Sequence, residues 1–541
     1  MITLNLAALT EKKGDFEKAG VRLPGFDVAG ARARTVAAPE WVHIGTGNLF
    51  KAYHAMLAQA LLEKGFADKG IVGVVPILDD KPSIENVFKP HDNLWIQVVT
   101  KASGELVKTV CASMAEIVAA DPADAEHWER LKAIFQSPGL RLVTFAVTEK
   151  AYDLKALDGS LRPEVVAQLD AGLAAPDHLM LKVTALLFER YRAGGAPLAV
   201  LSTDNFSHNG DRLKAAVLTA AGEWQKRGAV DGGFAAWLSD GKKISFPLSM
   251  IDKITPFPSD SVAQALADAG IAGMEVQKPA RGSLSAAFVN TEETEYLVIE
   301  DVFPNGRPPL EKAGVYFTDR ETVDKVERMK VCTCLNPLHT ALAVTGCVLG
   351  FNSIAGEMKD PDLAALATKI GYDEGLPVVT DPGIIKPDVF INEVLTKRFP
   401  NPAIPDTPQR IATDTSQKLG IRFGETIKLY VARSDLDMNN LKLIPLAIAI
   451  WCRYLLGIDD EGNPFTPSPD PLLANLQDAL RGVTLGNPDS GKGKLKAILS
   501  NEKIFGLDLY EAGLGERIEG YFAELLAGKG AVRKTLRKYL P

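Results

Sequence analysis

The sequence predicts an α/β protein: a parallel-sheet domain first, then a mostly α-helical domain. Two observations carry this. Strand-like and helix-like segments alternate through the first half, the pattern of a parallel sheet covered on both faces. After "YLVIEDVF" and the turn-rich "PNGRPPLEKAG", helical segments dominate to the end, punctuated by proline and glycine clusters such as "GLPVVTDPGIIKPD". The domain change is placed near residue 300, to within some tens of residues, giving a first domain over 1–300 and a mostly helical domain over 301–541.

In chain order, "WVHIGTGNLFKAYHAMLAQALLEKG" reads as a strand, a glycine turn and a helix. "GIVGVVPIL", "RLVTFAV" and "PLAVLST" read as buried strands, and "DHLMLKVTALLFERYRA" and "GDRLKAAVLTAAGEWQKRG" as helices. "LIPLAIAIWCRYLLG" has the length of a buried core helix, is interrupted by Arg453, and is too short to span a bilayer. The basic "GKGAVRKTLRKYL" reads as a solvated C-terminal helix.

The 541 residues favour at least two domains. A net charge of -8 argues against general nucleic-acid binding. Five cysteines, an odd and sparse set, suggest no disulfide framework and a reducing, cytoplasmic setting. The N-terminus has no apolar core flanked by basic residues, so neither a signal peptide nor a membrane partner is expected. No segment reads as a strong interface, and a monomer or small homo-oligomer is expected.

"HIGTGNLF" places Gly45-x-Gly47 between a strand and a helix, the layout of a dinucleotide site. The first glycine allows the tight turn, the second lets the backbone approach a diphosphate, and the helix start offers free amides. Phe50 stands at the third glycine of the usual pattern. Asp79 and Asp80 follow the second strand, where an acidic residue binds ribose hydroxyls in NAD sites; Lys81 would instead suit the 2′-phosphate of NADP. The balance favours NAD.

"MKVCTCLNPLHTALAVTG" packs Lys330, Cys332, Cys334, Asn336 and His339 together. One reading is zinc held by Cys332, Cys334 and His339, although the paired spacing is wrong for it. Another is a helix start, with Asn336 as N-cap, Pro337 at the first position and a stop near Gly350. A third is carbonyl–alcohol chemistry, with Lys330 moving the proton and Asn336 and His339 donating hydrogen bonds to an alkoxide. On one regular helix Lys330 would point roughly opposite His339.

Several segments, in order over most of the chain, are similar to one family. They are "HIGTGNLFKAYHA", "FAVTEKAY", "LSTDNFSHNGDRLKAAVL", "FPLSMIDKITP", "VIEDVFPNGRPPLEKAGV" and "NPAIPDTPQRIATDTSQK". The chain resembles the polyol-specific long-chain dehydrogenases, which include mannitol 2-dehydrogenases, fructuronate reductases and tagaturonate reductases. The resemblance implies a Rossmann-type N-terminal domain, a helical C-terminal domain and metal-independent, NAD(P)-linked oxidation of a secondary alcohol. It implies Lys330 as general acid/base, Asn205 and Asn336 as the oxyanion-stabilising pair, and His339 as the residue that orients substrate. Asp252, Arg410 and Lys418 would bind substrate; Gly45, Gly47, Asn48, Phe50, Asp79, Thr148 and Glu149 would bind cofactor.

"ERMKVCTCLNPLHTALAVTGC" looks most like mannonate oxidoreductase-type members, implying interconversion of D-fructuronate and D-mannonate. Cations such as Lys253, Arg410 and Lys418 would suit a carboxylate. Mannitol or tagaturonate chemistry is the near alternative; a zinc enzyme and a non-catalytic NAD-binding sensor are the distant ones. The chain departs from the family's pattern in two ways. Five residues, "VCTCL", separate Lys330 from Asn336 where four are usual, so the approach to the helix carries a bulge or Lys330 is displaced. Leu248 and Lys253 stand where asparagine and arginine are common.

Without the resemblance, Asp204 and Asn205 read as a strand-end turn. Asp252 and Lys253 read as a surface ion pair, and Arg410 and Lys418 as solvated residues about 80° apart on one helix.

Overall fold

The structure, a computed structural model, describes residues 1–156 and 158–540. The chain forms two compact units. The first comprises Met1–Lys101 and Glu105–Val323; the second runs from Asp324 onward and includes Ala102–Gly104.

The first unit is built on six parallel strands: β1 (Trp41–Ile44), β2 (Ile71–Val75), β3 (Met114–Ala119), β4 (Leu142–Phe145), β5 (Leu198–Ser202) and β6 (Ile244–Ser245). Their spatial order is β6-β5-β4-β1-β2-β3. This is the doubly wound dinucleotide-binding order, with its switch point between β1 and β4. β1, β2, β4 and β5 are buried along their whole length, as a sheet covered on both faces requires. The strand segments read from sequence fall on β1, β2, β4 and β5. β3, with the sequence MAEIVA and a partly exposed first half, is not among the segments read as strands.

A second, four-stranded sheet contains Trp95–Thr100, Leu106–Cys111, Phe288–Thr291 and Val21–Arg22. A third joins Ser249–Asp252, Tyr296–Glu300 and Tyr316–Thr318. The last of these strands pairs in parallel with Tyr296–Glu300, which ties residues 301–323 to the first unit. The two compact units divide between Val323 and Asp324, some twenty residues beyond the expected position.

Helix α1 (Ala55–Glu63) follows a π-turn over Phe50–His54. Helix α2 (Arg320–Met329) leads through a second π-turn, Lys330–Cys334, into α3 (Asn336–Leu349). Gly350, with φ of 79°, ends α3 where the sequence places the stop.

In the second unit α4 (Leu443–Tyr454) packs against both α3 and α5 (Gly515–Leu525). All twelve residues of α4 are buried, and Arg453 donates to the Ile458 and Asp459 carbonyls at 2.6 and 3.0 Å. No side chain at the start of α4 caps it. Glu374 does so from a distance, accepting from the Lys442, Leu443 and Ile444 amides at 2.6–2.7 Å. The helical stretch Arg320–Leu349 has the length and hydropathy of a membrane span, but 83% of its apolar window is buried inside the protein. The basic C-terminal helix is not simply solvated. Val532 and Leu536 are buried, and Arg533 bridges Asp360 and Asp362, each at 2.7 Å.

Glu357 is fully buried beside Gly346 of α3, and neither carboxylate oxygen has a hydrogen-bond partner among the described residues. Burial, then Asp360, raises its pKa from the usual carboxyl range to about 9. The folded value lies above the unfolded one, so stability is fullest below about pH 4.5 and declines as pH rises toward 9. Glu357→Gln is expected to stabilise the protein by roughly 3 kcal/mol at pH 8 and negligibly at pH 4, read by denaturant melts at both pH values.

Candidate active site

In the first unit a cavity of about 460 Å³ opens at the C-terminal ends of the strands. Its walls come from the segments after β1 (Gly45 to Leu49), β2 (Pro76 to Asp80) and β4 (Ala146 to Thr148), with Asp204 after β5. It thus spans the topological switch point, where doubly wound sheets bind ligands.

Gly45 has φ of 112°, and a Cβ there would lie 2.1 Å from the Ala146 carbonyl oxygen. Glycine is required because the ends of β1 and β4 touch. At Gly47 a Cβ would meet nothing within 4 Å, so that glycine leaves open space over the cavity. The helix begins just after it: the Lys51 amide donates to Gly47 O at 3.1 Å, so the amides before it have no intrahelical acceptor. Strand, bare glycine and free helix start together fit a diphosphate.

Asn48 lines the cavity and donates to Pro256 O at 3.2 Å. Thr148 and Asp79 also line it. Asp80 is taken by Ser283, whose amide and hydroxyl donate to it at 2.6 and 3.3 Å. Lys81 turns to Asp121 and Asp124 at 2.7 and 2.9 Å.

Two residues expected at the cofactor do not line this cavity. Phe50 is fully buried and stacks on His43 at 4.8 Å, because its place in the first turn faces the core. Glu149 pairs with Arg212, which also binds Asp153 at 2.5 Å; this outward pairing removes Glu149 from the cavity wall.

Sequence reading missed Lys51, whose buried ammonium lines the cavity. It donates to Ala286 O at 2.8 Å, and burial lowers its pKa to about 7.

Asp204 is a brace. It accepts from the Val147 amide at 2.7 Å and the Tyr152 hydroxyl at 2.5 Å, which ties the end of β5 to the segment after β4. Asn205 is exposed. Asn209 of the same motif is buried and bonds Ser249, whose strand ends at Asp252. Asp252 and Lys253 are not a surface pair. Asp252 is buried, and the Lys253 side chain, 1% exposed, binds Glu295 and the Glu292 carbonyl at 2.9 and 2.6 Å.

The second unit carries Lys330, Asn336 and His339 on one helical run. Asn336 is not the N-cap: helix precedes it, and its carbonyl accepts from the Thr340 hydroxyl at 2.9 Å. The π-turn closes with the Leu335 amide donating to Lys330 O at 3.1 Å. A π-turn absorbs one extra residue. His339 therefore lies about 80° around the axis from Lys330 instead of about 180°. The fifth residue between Lys330 and Asn336 is the bulge, and Lys330 itself is buried.

Cys332 and Cys334 are buried, and burial pushes the Cys332 thiol up to about 11. Among the described residues no three His, Cys, Asp or Glu side chains are grouped to hold a metal ion. The zinc reading has no donor set in this structure.

His339 stacks loosely on Phe399 at 5.0 Å and faces Asp406, its Nε2 3.5 Å from the carboxylate. Burial, then Arg422, Arg410, Arg398 and Lys418, drives its pKa down to about 3. The imidazole is neutral at ordinary pH, able to orient a ligand and unable to supply a proton. Arg410 and Lys418 thus flank His339, but they do not share a helix. Arg410 lies in the short Pro408–Ile411 helix and pairs with Asp406; Lys418 follows a separate 3-10 turn and donates to Thr413 O at 2.5 Å. Arg398 and Arg422 went unread in sequence, since neither shares a motif with His339. Only folding brings them to it.

Residues 39–312 match the mannitol dehydrogenase Rossmann domain, and 322–526 the mannitol dehydrogenase C-terminal domain. The chain is 51% identical over 525 residues to a D-mannonate oxidoreductase of Thermotoga maritima, covering 97% of this chain and 96% of that one. Among solved structures it is similar to a substrate-free D-sorbitol dehydrogenase (TM-score 0.77, 25% identity, 100% of both chains). It is also similar to Pseudomonas fluorescens mannitol 2-dehydrogenase in ternary complex with NAD and D-mannitol (TM-score 0.67, 26% identity, 99% of both). Two matched domains, the switch-point cavity and the helical run bearing Lys330, Asn336 and His339 lead to one conclusion: the chain belongs to the mannitol dehydrogenase family and is an oxidoreductase acting on a secondary alcohol.

Proposed function

We propose that the chain interconverts D-fructuronate and D-mannonate with NAD(H) and needs no metal ion. The observation that carries this reading is the 51% identity, across 97% of the chain, to a D-mannonate oxidoreductase. The cations around His339 support a substrate bearing a carboxylate. NAD is favoured over NADP because Asp79 lines the cavity while Lys81 is held by Asp121 and Asp124.

Bound nicotinamide supplies a hydride to the carbonyl carbon in reduction and accepts it in oxidation. Lys330 gives a proton to the carbonyl oxygen in reduction and takes it back in oxidation, so that fructuronate, NADH and a proton become mannonate and NAD. Asn336 donates a hydrogen bond to the developing alkoxide. Neutral His339 orients the sugar. The roles the resemblance implies for Asn205, a second oxyanion donor, and Asp252, a contact to a hydroxyl or to the lysine, belong to the same proposal. Likeness to a mannitol 2-dehydrogenase keeps mannitol–fructose interconversion as the second reading.

The test is NADH oxidation by the purified protein with D-fructuronate, D-tagaturonate and D-fructose, with and without EDTA. Chelator-insensitive turnover on D-fructuronate is expected. Turnover on D-fructose alone would move the protein to the mannitol reading, and loss of activity in EDTA would end the metal-free mechanism.

A further inference from the structure

Four cations influence His339, yet their engagements differ. Arg410 is paired with Asp406, and its side chain is 63% exposed. Lys418 is spent on the Thr413 carbonyl. Arg398 is buried, among partners of its own. Arg422 is the exception. Its one side-chain hydrogen bond is to the Thr340 hydroxyl at 2.5 Å, and it makes no ion pair with a carboxylate among the described residues. Arg422 is half-buried. Burial alone lowers its pKa, to about 10, with no anion to offset it. A half-buried guanidinium with no protein carboxylate paired to it is suited to take a bidentate anion.

Two features aim it. The Thr340 bond anchors the guanidinium to the first turns of α3, within electrostatic reach of His339. Arg422 also sits in a π-turn, Gly420–Gly424, whose flanking glycines lie flat on a neighbouring backbone. A Cβ at Gly424 would be 1.8 Å from Phe505 O, and one at Gly420 would be 3.1 Å from Ile504 O. The turn cannot roll, so the direction of Arg422 is set by main chain.

We propose that Arg422 takes the carboxylate of a sugar-acid substrate and sets the preference for sugar acids over neutral ketoses and polyols. The inference rests on the functional reading above and adds the residue that reads the charged end. Lys253, buried against Glu295, is removed from that role.

The test compares wild type with Arg422→Met, Arg422→Gln and Arg422→Lys on D-fructuronate and, as the uncharged control, D-fructose. For the Met and Gln variants kcat/KM on D-fructuronate is expected to fall on the order of 100-fold, mostly through KM, with D-fructose little changed. Arg422→Lys should recover part of the loss. D-mannonate binding followed by calorimetry should weaken in parallel, while NADH binding stays at the wild-type value. If both neutral variants keep the wild-type preference, or lose activity equally on both sugars, the inference fails and the substrate reading stands. If wild type neither turns over D-fructuronate nor binds D-mannonate, both fail.

Discussion

Lys330→Met is expected to lower kcat on the sugar substrate about 1000-fold while NADH binds as in wild type. General acid–base catalysis contributes roughly 100- to 10,000-fold, and a methionine fills the buried site without a proton to give. His339 is the weaker candidate for moving that proton. Burial, then Arg422, lowers the His339 pKa to about 3, so its neutral imidazole keeps one N–H and has no imidazolium proton to give at neutral pH. Its replacement by asparagine should therefore raise KM more than it lowers kcat. Stopped-flow and steady-state kinetics, with NADH titrated by fluorescence, measure both. A Lys330→Met enzyme within tenfold of wild-type kcat would refute the role of the lysine.

The second large effect separates two glycines that look alike in sequence. Gly45→Ala should destabilise the first unit and abolish cofactor binding, because its Cβ would meet the Ala146 carbonyl at 2.1 Å in a backbone conformation that alanine resists. Several kcal/mol is the expected scale, since backbone atoms at the switch point must move. Gly47→Ala should leave the melting temperature within a degree or so, for nothing in the protein opposes it, yet weaken NADH binding at least tenfold. Equal behaviour of the two variants in thermal melts would contradict the assignment of one glycine to the fold and the other to the ligand.

What was legible in the sequence follows from how local each signal is. β1, β2, β4 and β5 announce themselves by short, mostly apolar runs, and Gly45 by its place after β1. The sheet order around them was not legible, because no local pattern says which strands lie side by side. Phe50 and Glu149 misled because a motif position does not say which way a side chain turns: one went to the His43 stack, the other to Arg212. Arg398 and Arg422 lie far along the chain from His339, and their convergence depends on packing no spacing rule encodes. Asn336 misled differently. Its neighbour Pro337 suits a helix start, but proline near a π-turn also suits a helix that widens and continues, since the turn already lacks regular amide bonds.

That widened turn at Lys330–Cys334 also bears on how such chains compare. Between Lys330, the proposed acid–base, and the side chains beyond it, what decides which groups share a face is angular phase, not residue count. A lineage can gain one residue there and keep the same face, because the backbone loops outward locally and everything after it stays in step. An aligner that slides the lysine by one to close the gap would assign its function to Met329 or Val331, whose side chains leave the helix about 100° away.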